Sequence, residues 1–228
     1  MQPIDTELTR YYAQRAREYE RIYDKPERQP DLEWLKKALP PMFAGRRVLE
    51  IACGTGYWTQ FIVREANGIV GIDVNDETLE IARGKGLPAG RAAFRIADAY
   101  SPPDDLGEFD AAFAGFWWSH VPIRERRRFF EALDKRLAPG ARVALLDNLY
   151  VKDSSTPISR RDAEGNSYQT RRLEDGSEHE VLKNFPSESE LVADVAGVGQ
   201  NPRFTALQYY WLFTYEKPAA PTLILPHG

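Results

Sequence analysis

A chain of 228 residues has room for one large domain, and 43% hydrophobic with 28% charged residues is the balance of an ordinary globular protein. The net charge of −4 gives no electrostatic case for a nucleic-acid partner, which calls for a basic surface. The single cysteine, Cys53, excludes an internal disulfide.

Met1 to Glu7 lack the apolar core of a signal peptide, and no run approaches the roughly 20 apolar residues that cross a bilayer. The expectation is a cytoplasmic protein with no membrane partner. From about Glu7 to Tyr23 the chain reads as a helix carrying Tyr11, Tyr12, Tyr19 and Tyr23, broken by Pro26 and Pro30. Asp31, a candidate N-cap, opens a second helix that runs to Leu39 and is ended by Pro40-Pro41.

A βα alternation then begins. Arg47 to Ile51 is a compact apolar strand. Trp58 to Ala66 reads as a helix, stopped by Asn67-Gly68 as a left-handed cap. Ile69 to Asp73 is the second strand, Asp76 to Arg83 a helix, Ala92 to Ile96 the third strand and Phe109 to Gly115 the fourth. Pro122 to Leu137 reads as a helix with Ile123, Phe130, Leu133 and Leu137 as its buried stripe, closed by Pro139-Gly140. Ala141 to Leu146 is a fifth strand ending at Asp147. Strands alternating with helices at this spacing predict an α/β fold, doubly wound around a mostly parallel sheet with helices on both faces.

The pattern then changes. The segment 149–186 is a polar insertion in which Asp175-Gly176 separates two extended runs, Ser167 to Arg172 and His179 to Asn184, predicting a β-hairpin. Ser187 and Glu190 form a capping box for a last helix, ended near Gly197 and Gly199. Arg203 to Lys217 is aromatic-rich strand, one or two in number, and the tail after Pro218 is irregular. The organisation is a single domain over 1–228, with a helical lid over 1–40.

The chemistry concentrates at the strand ends. The run Glu50-Ile51-Ala52-Cys53-Gly54-Thr55-Gly56 carries an acid into a glycine turn, and Gly54 and Gly56 let a ligand approach the backbone. Glu50 suits a ligand with an ammonium group, such as the methionine part of S-adenosylmethionine (SAM), and suits a pyrophosphate poorly. The dinucleotide fingerprint wants a third glycine where Thr59 stands. Asp73, followed by Val74, ends the second strand and can accept from both ribose hydroxyls. Asp98 and Ala99 follow the third strand, within reach of an adenine amino group. Each acid taken singly is equally well read as a cap of the turn after it; three of them after three successive strands read as a cofactor site. Tyr19, Trp58 and Phe116 complete the expected cofactor set.

These residues resemble the class I SAM-dependent methyltransferases over about Tyr12 to Lys217. The glycine motif, Asp73, Asp98, Phe109-Asp110-Ala111-Ala112-Phe113-Ala114-Gly115-Phe116 and Leu137-Ala138-Pro139-Gly140-Ala141 carry the resemblance. Ala52 stands where the family's motif has its first glycine. The resemblance implies a seven-stranded sheet with its last strand antiparallel, supplied by Arg203 to Lys217, and SAM as cofactor with S-adenosylhomocysteine as product.

The acceptor is expected at the carboxyl ends of the strands, among Tyr11 and Tyr12 of the lid, Trp117, Trp118 and His120 after strand four, and Asn148 and Tyr150 after strand five. His120 reads either as a general base for an oxygen or sulfur acceptor or as a cap of the turn before Pro122. One of the two tryptophans is expected in the core. Arg171-Arg172 and Arg160-Arg161 either meet an acidic acceptor or pair with acids of the insertion. No metal site is expected. The function this supports is methyl transfer to a small-molecule N, O or S nucleophile by a monomer or homodimer. The alternatives are a protein or RNA acceptor, a SAM-binding protein without transfer, and an NAD-dependent oxidoreductase.

Overall fold

Along each central strand, neighbouring apolar residues face opposite sides of one sheet. In β1 (Arg47–Ile51), Val48 enters one core while Leu49 and Ile51 enter the other. In β4 (Phe109–Gly115), Ala111 and Phe113 oppose Ala112 and Ala114 in the same way. Strands buried on both faces need helices on both, so this pattern dictates a layered α/β arrangement. The structure, a computed structural model, describes residues 6–16 and 18–219. The expectations for Met1 to Asp5, and for the tail beyond residue 219 with Pro221, Pro226 and His227, lie outside those residues.

The main sheet contains β1, β2 (Gly68–Asp73), β3 (Ala92–Ile96), β4, β5 (Leu137–Asn148), β9 (Gln200–Ala206) and β10 (Tyr210–Glu216), in the order β3-β2-β1-β4-β5-β10-β9. Neighbours pair in parallel except β10, which runs antiparallel to both β5 and β9. The aromatic run near the carboxyl end therefore supplies two strands. One face is covered by α2 (Gln29–Met42), through the fully buried Leu32, Leu35 and Leu39, and by α3 (Thr59–Ile62). The other carries α5 (Arg126–Asp134), through Phe129, Phe130 and Leu133, and α6 (Glu188–Asp194), through Leu191; α4 (Asp76–Arg83) links β2 to β3 with Leu79 and Ala82 buried. Ser187 and Glu190 form the expected capping box.

Several expected boundaries move. The lid consists of α1 (Thr6–Arg15) and a separate 3₁₀ turn, Tyr19–Tyr23, rather than one helix. The range 1–40 was too generous, because α2 belongs to the core. Pro40-Pro41 does not end α2: both lie within its last turn, where packing of Leu39, Pro40 and Phe43 outweighs the two missing N–H donors. Asp31 is not its N-cap; its Oδ2 accepts from the Tyr209 backbone N–H at 2.7 Å, tying the helix to β10. Asn67-Gly68 makes no left-handed cap: Gly68 opens β2, and Asn67 donates to the Gly45 carbonyl. Pro139-Gly140 lies inside β5, where Gly140 at φ +77° accommodates a bulge against β4. The helix has already ended at Asp134, and Ile123 is partly exposed.

The insertion forms its own three-stranded antiparallel sheet from β6 (Arg160–Arg161), β7 (Ser167–Arg172) and β8 (Glu178–Leu182). Tyr11 of α1 packs on Leu173 and Val181 of this sheet. Lid and insertion thus close together over the carboxyl edge of the main sheet.

Candidate active site

The strand order reverses between β1 and β4, which opens a crevice at their carboxyl ends. The loop after β1 enters it with Ala52 at φ +50° and Gly54 at φ +54°. Ala52 thus keeps the left-handed backbone at the position where the family's motif has a glycine. A Cβ built on Gly54 meets no atom within 4 Å, so the loop presents bare backbone to open space. Asp73 braces the loop: its Oδ2 accepts from the Gly54 N–H and its Oδ1 from the Asn75 N–H, both at 2.9 Å. Burial raises the Asp73 carboxyl above the usual range, while these amides oppose the shift. Asp98 accepts from the Tyr100 N–H at 2.9 Å. Asp73, Val74, Asp98, Ala99 and Trp117 line a mostly apolar cleft with Ala52 and Gly54, roofed by Tyr12 and Tyr19.

Four expected cofactor residues lie beneath this surface rather than on it. Glu50 is buried and accepts from the Thr59 hydroxyl at 2.6 Å; desolvation pushes its carboxyl up to about 8. The Cys53 sulfur packs against Gly71, where any Cβ would lie 2.8 Å from it. Gly56, at φ +73°, lets the loop pass Ala82, whose Cβ would be 3.1 Å from an added one. Trp58 is core: it packs on Phe113 and Phe116, and its indole N–H donates to the Tyr23 hydroxyl at 3.2 Å.

Beyond the cleft lies a polar chamber of about 370 Å³ between lid and insertion. Tyr11, Tyr12 and Asn148 line it as expected, together with Arg28, Gln169, Arg171, Lys183 and Phe185, which sequence reasoning did not place at the site or left open. Two expected acceptor contacts are corrected. Trp118 is fully buried against Phe129 and Phe130, so it is the core tryptophan, whereas Trp117 faces the cofactor cleft. Tyr150 points away from the chamber and packs edge-on against Phe185 over a separate surface groove. Cleft and chamber share four lining residues: Tyr12, Tyr19, Phe116 and His120. Phe116 holds this junction with φ +59°, a conformation costing a bulky side chain about 1–3 kcal/mol.

His120 is buried, and its hydrogen bonds define its tautomer. The Leu182 carbonyl can only accept, so Nδ1–H donates to it at 2.6 Å; Nε2 then accepts from the Tyr12 hydroxyl at 2.7 Å. Burial, and then the Lys183 charge, hold the ring well below its ordinary pKa. These bonds reach the insertion and the lid, so His120 is not the cap of its own turn. Below it, Lys183 donates to Asp147 at 2.8 Å and to the Ser119 hydroxyl at 2.6 Å, both buried. Burial lowers Lys183 to about 8 despite the carboxylate beside it.

Fold and site together define a Rossmann-like α/β protein with a nucleoside-type cleft opening onto a second, polar chamber. A family profile for a methyltransferase domain matches residues 48–140, which supply most of the cleft's lining. The chain is thus similar, over that part, to SAM-dependent methyltransferases. It is 32% identical over 120 residues to the O-methyltransferase cnsE of Penicillium expansum, covering 50% of this chain and 42% of that one. It is 28% identical over 170 residues to a ubiquinone biosynthesis O-methyltransferase of Xanthomonas axonopodis pv. citri (strain 306), covering 74% and 67%. The chain spans about half the length of the curated relatives it matches first. Among solved structures, a DhpI-SAM-HEP complex superposes with a TM-score of 0.72 at 26% identity, covering 95% of this chain and 100% of that one.

Proposed function

We propose that this protein binds SAM in the cleft and transfers its methyl group to a small-molecule acceptor held in the chamber. The observation that carries this reading is the shared boundary: the two cavities meet at Tyr12, Tyr19, Phe116 and His120. The small-molecule methyltransferases among its relatives support it, as does the SAM named with the similar DhpI structure.

The residues present fit the cofactor. Asp73 receives the ribose hydroxyls with the lone pairs its two amide bonds leave free, and Asp98 lies on the adenine side. Val74 and Ala99 offer apolar walls to the adenine, and the bare backbone at Gly54 admits the methionine part. When bound, SAM supplies an electrophilic methyl on a sulfonium cation. The aromatic rings of Tyr19 and Phe116 stand where they favour that cation. The rest of the rate comes from position and dryness: the lid roofs the cleft, and Glu20 latches it by accepting from the Thr55 hydroxyl at 2.5 Å and pairing with Lys85 at 2.7 Å.

We place the reaction in the cytoplasm, where a free thiol such as that of Cys53 stays reduced. The test is transfer from methyl-labelled SAM into a fractionated metabolite extract, read by mass spectrometry. Label in a small product supports the reading. Label confined to protein or RNA, or no transfer with SAM bound, overturns it.

A further inference from the structure

The acceptor chamber carries positive charge that the protein does not balance. Arg15, Lys25, Arg28, Arg171, Arg172 and Lys183 line it against one acid, Glu18. Asp147 neutralises Lys183. Arg28 and Arg171 are half-buried, and among the described residues neither has a carboxylate partner. The Arg28 guanidinium donates to neutral oxygens, Asn148 Oδ1 at 3.3 Å and Ser154 Oγ at 3.4 Å. It lies over the Tyr209 and Tyr210 rings and leaves its buried Nε unsatisfied. Arg171 donates to the Gln169 side-chain oxygen at 2.9 Å and lies beside the Tyr11 ring. Outside the chamber the buried Arg126 pairs with Asp194, and Arg124 and Arg160 pair with Glu164 and Glu180; Arg46, Arg47 and Arg91 instead donate to backbone carbonyls. Guanidiniums withdrawn from water without a counter-charge are costly, and a bidentate oxyanion offsets the cost.

Proton chemistry points the same way. An alcohol or phenol would have to lose a proton on the way to product. The one histidine at the junction has its Nε2 lone pair filled by the Tyr12 hydroxyl, and Lys183 and Arg171 both disfavour its cation. A carboxylate or phosphorus oxyanion arrives already deprotonated.

Resting on the methyltransferase reading above, we propose that the acceptor is a small organic oxyanion, a carboxylate or a phosphorus oxyanion, held by Arg28 and Arg171 and methylated on oxygen to give an ester. The oxygen lone pair forms the C–O bond as the C–S bond of the sulfonium breaks. That bond's electron pair stays on sulfur, which becomes a neutral thioether, and the acceptor loses one negative charge. No proton moves. His120 is then a positioning residue that fixes Tyr12 at the junction.

Two measurements test this. In the first, the protein saturated with S-adenosylhomocysteine is titrated calorimetrically with benzoate, phenylphosphonate and the neutral benzamide. At least one anion should bind more than about tenfold tighter than benzamide, and Arg28→Gln and Arg171→Gln should each remove about tenfold of that affinity. S-adenosylhomocysteine affinity, read on the same variants, should hold and so report that they fold. Anions binding no better than the amide would overturn the proposal. In the second, ¹³C-methyl SAM is supplied with a metabolite extract and the product methyl is read by NMR. A signal lost to methanol in mild alkali identifies a carboxylate ester, and one split by phosphorus identifies the phosphorus ester. A methyl on an alkali-stable ether, an amine or a thioether would refute the oxyanion acceptor while leaving the methyltransferase reading intact. Absence of any labelled product despite bound SAM would remove both.

Discussion

Asp73 illustrates how one side chain serves structure and ligand together. Its carboxylate accepts from the Gly54 and Asn75 amides and so holds the glycine loop in the shape that exposes its backbone. The remaining lone pairs face the cleft. Asp73→Ala should weaken SAM binding by more than about 1.5 kcal/mol, the loss typical of a charged hydrogen-bond partner. Calorimetry checks this, and unchanged affinity would mean that the ribose is held elsewhere. Glu50 gives a pH signature. Its carboxyl is raised from 4.5 to about 8 by burial. Between those values the unfolded chain releases a proton that the folded chain keeps. Stability contributed below pH 4.5 is therefore lost as pH climbs toward 8. Glu50→Gln should flatten that slope in urea midpoints measured from pH 5 to 8, and parallel curves for the two proteins would contradict it. At this scale Asp73 and Asp98 were legible because Asp73 ends its strand and Asp98 follows its own by two residues. Glu50 was legible as an acid at the right place but not as a buried one, since sequence does not show that Thr59 turns back to meet it. Arg28 was illegible: its partner Asn148 lies 120 residues away.

Between elements, the buried Lys183–Asp147 pair joins the end of the insertion to the end of β5, and the Ser119 hydroxyl and N–H complete it. Removing one member strands the other charge in the core. Asp147→Asn should cost about 3 kcal/mol or more in chemical denaturation; a loss below about 1 kcal/mol, the worth of a surface pair, would show that water reaches the site. The parallel strands themselves were readable, with β3, β4 and α4 placed residue for residue, because each is a short apolar run bounded by turn residues. Proline and glycine misled wherever tertiary packing decided the outcome. Pro40-Pro41 continue a helix because Leu39 and Phe43 are buried on either side of them. Pro139-Gly140 enter a strand because β4 pairs with Leu137 and Arg142 on either side of them and the Gly140 N–H donates to the Lys217 carbonyl. The insertion's third strand, β6, is two exposed residues with no periodicity to read.

At the scale of the whole molecule the chain divides by task. Residues 48–140, matched by the methyltransferase-domain profile, carry the cleft's Ala52, Asp73 and Asp98. The chamber draws most of its wall from lid and insertion, outside that match. One sheet edge thus carries two cavities built largely from different parts of the chain. A crystal structure with S-adenosylhomocysteine bound tests this division most directly. The account predicts ribose on Asp73, adenine between Val74 and Ala99, and the thioether sulfur at the Tyr12–Tyr19–Phe116–His120 junction, facing the chamber. A sulfur turned toward solvent, or a ligand seated in the chamber itself, would contradict it.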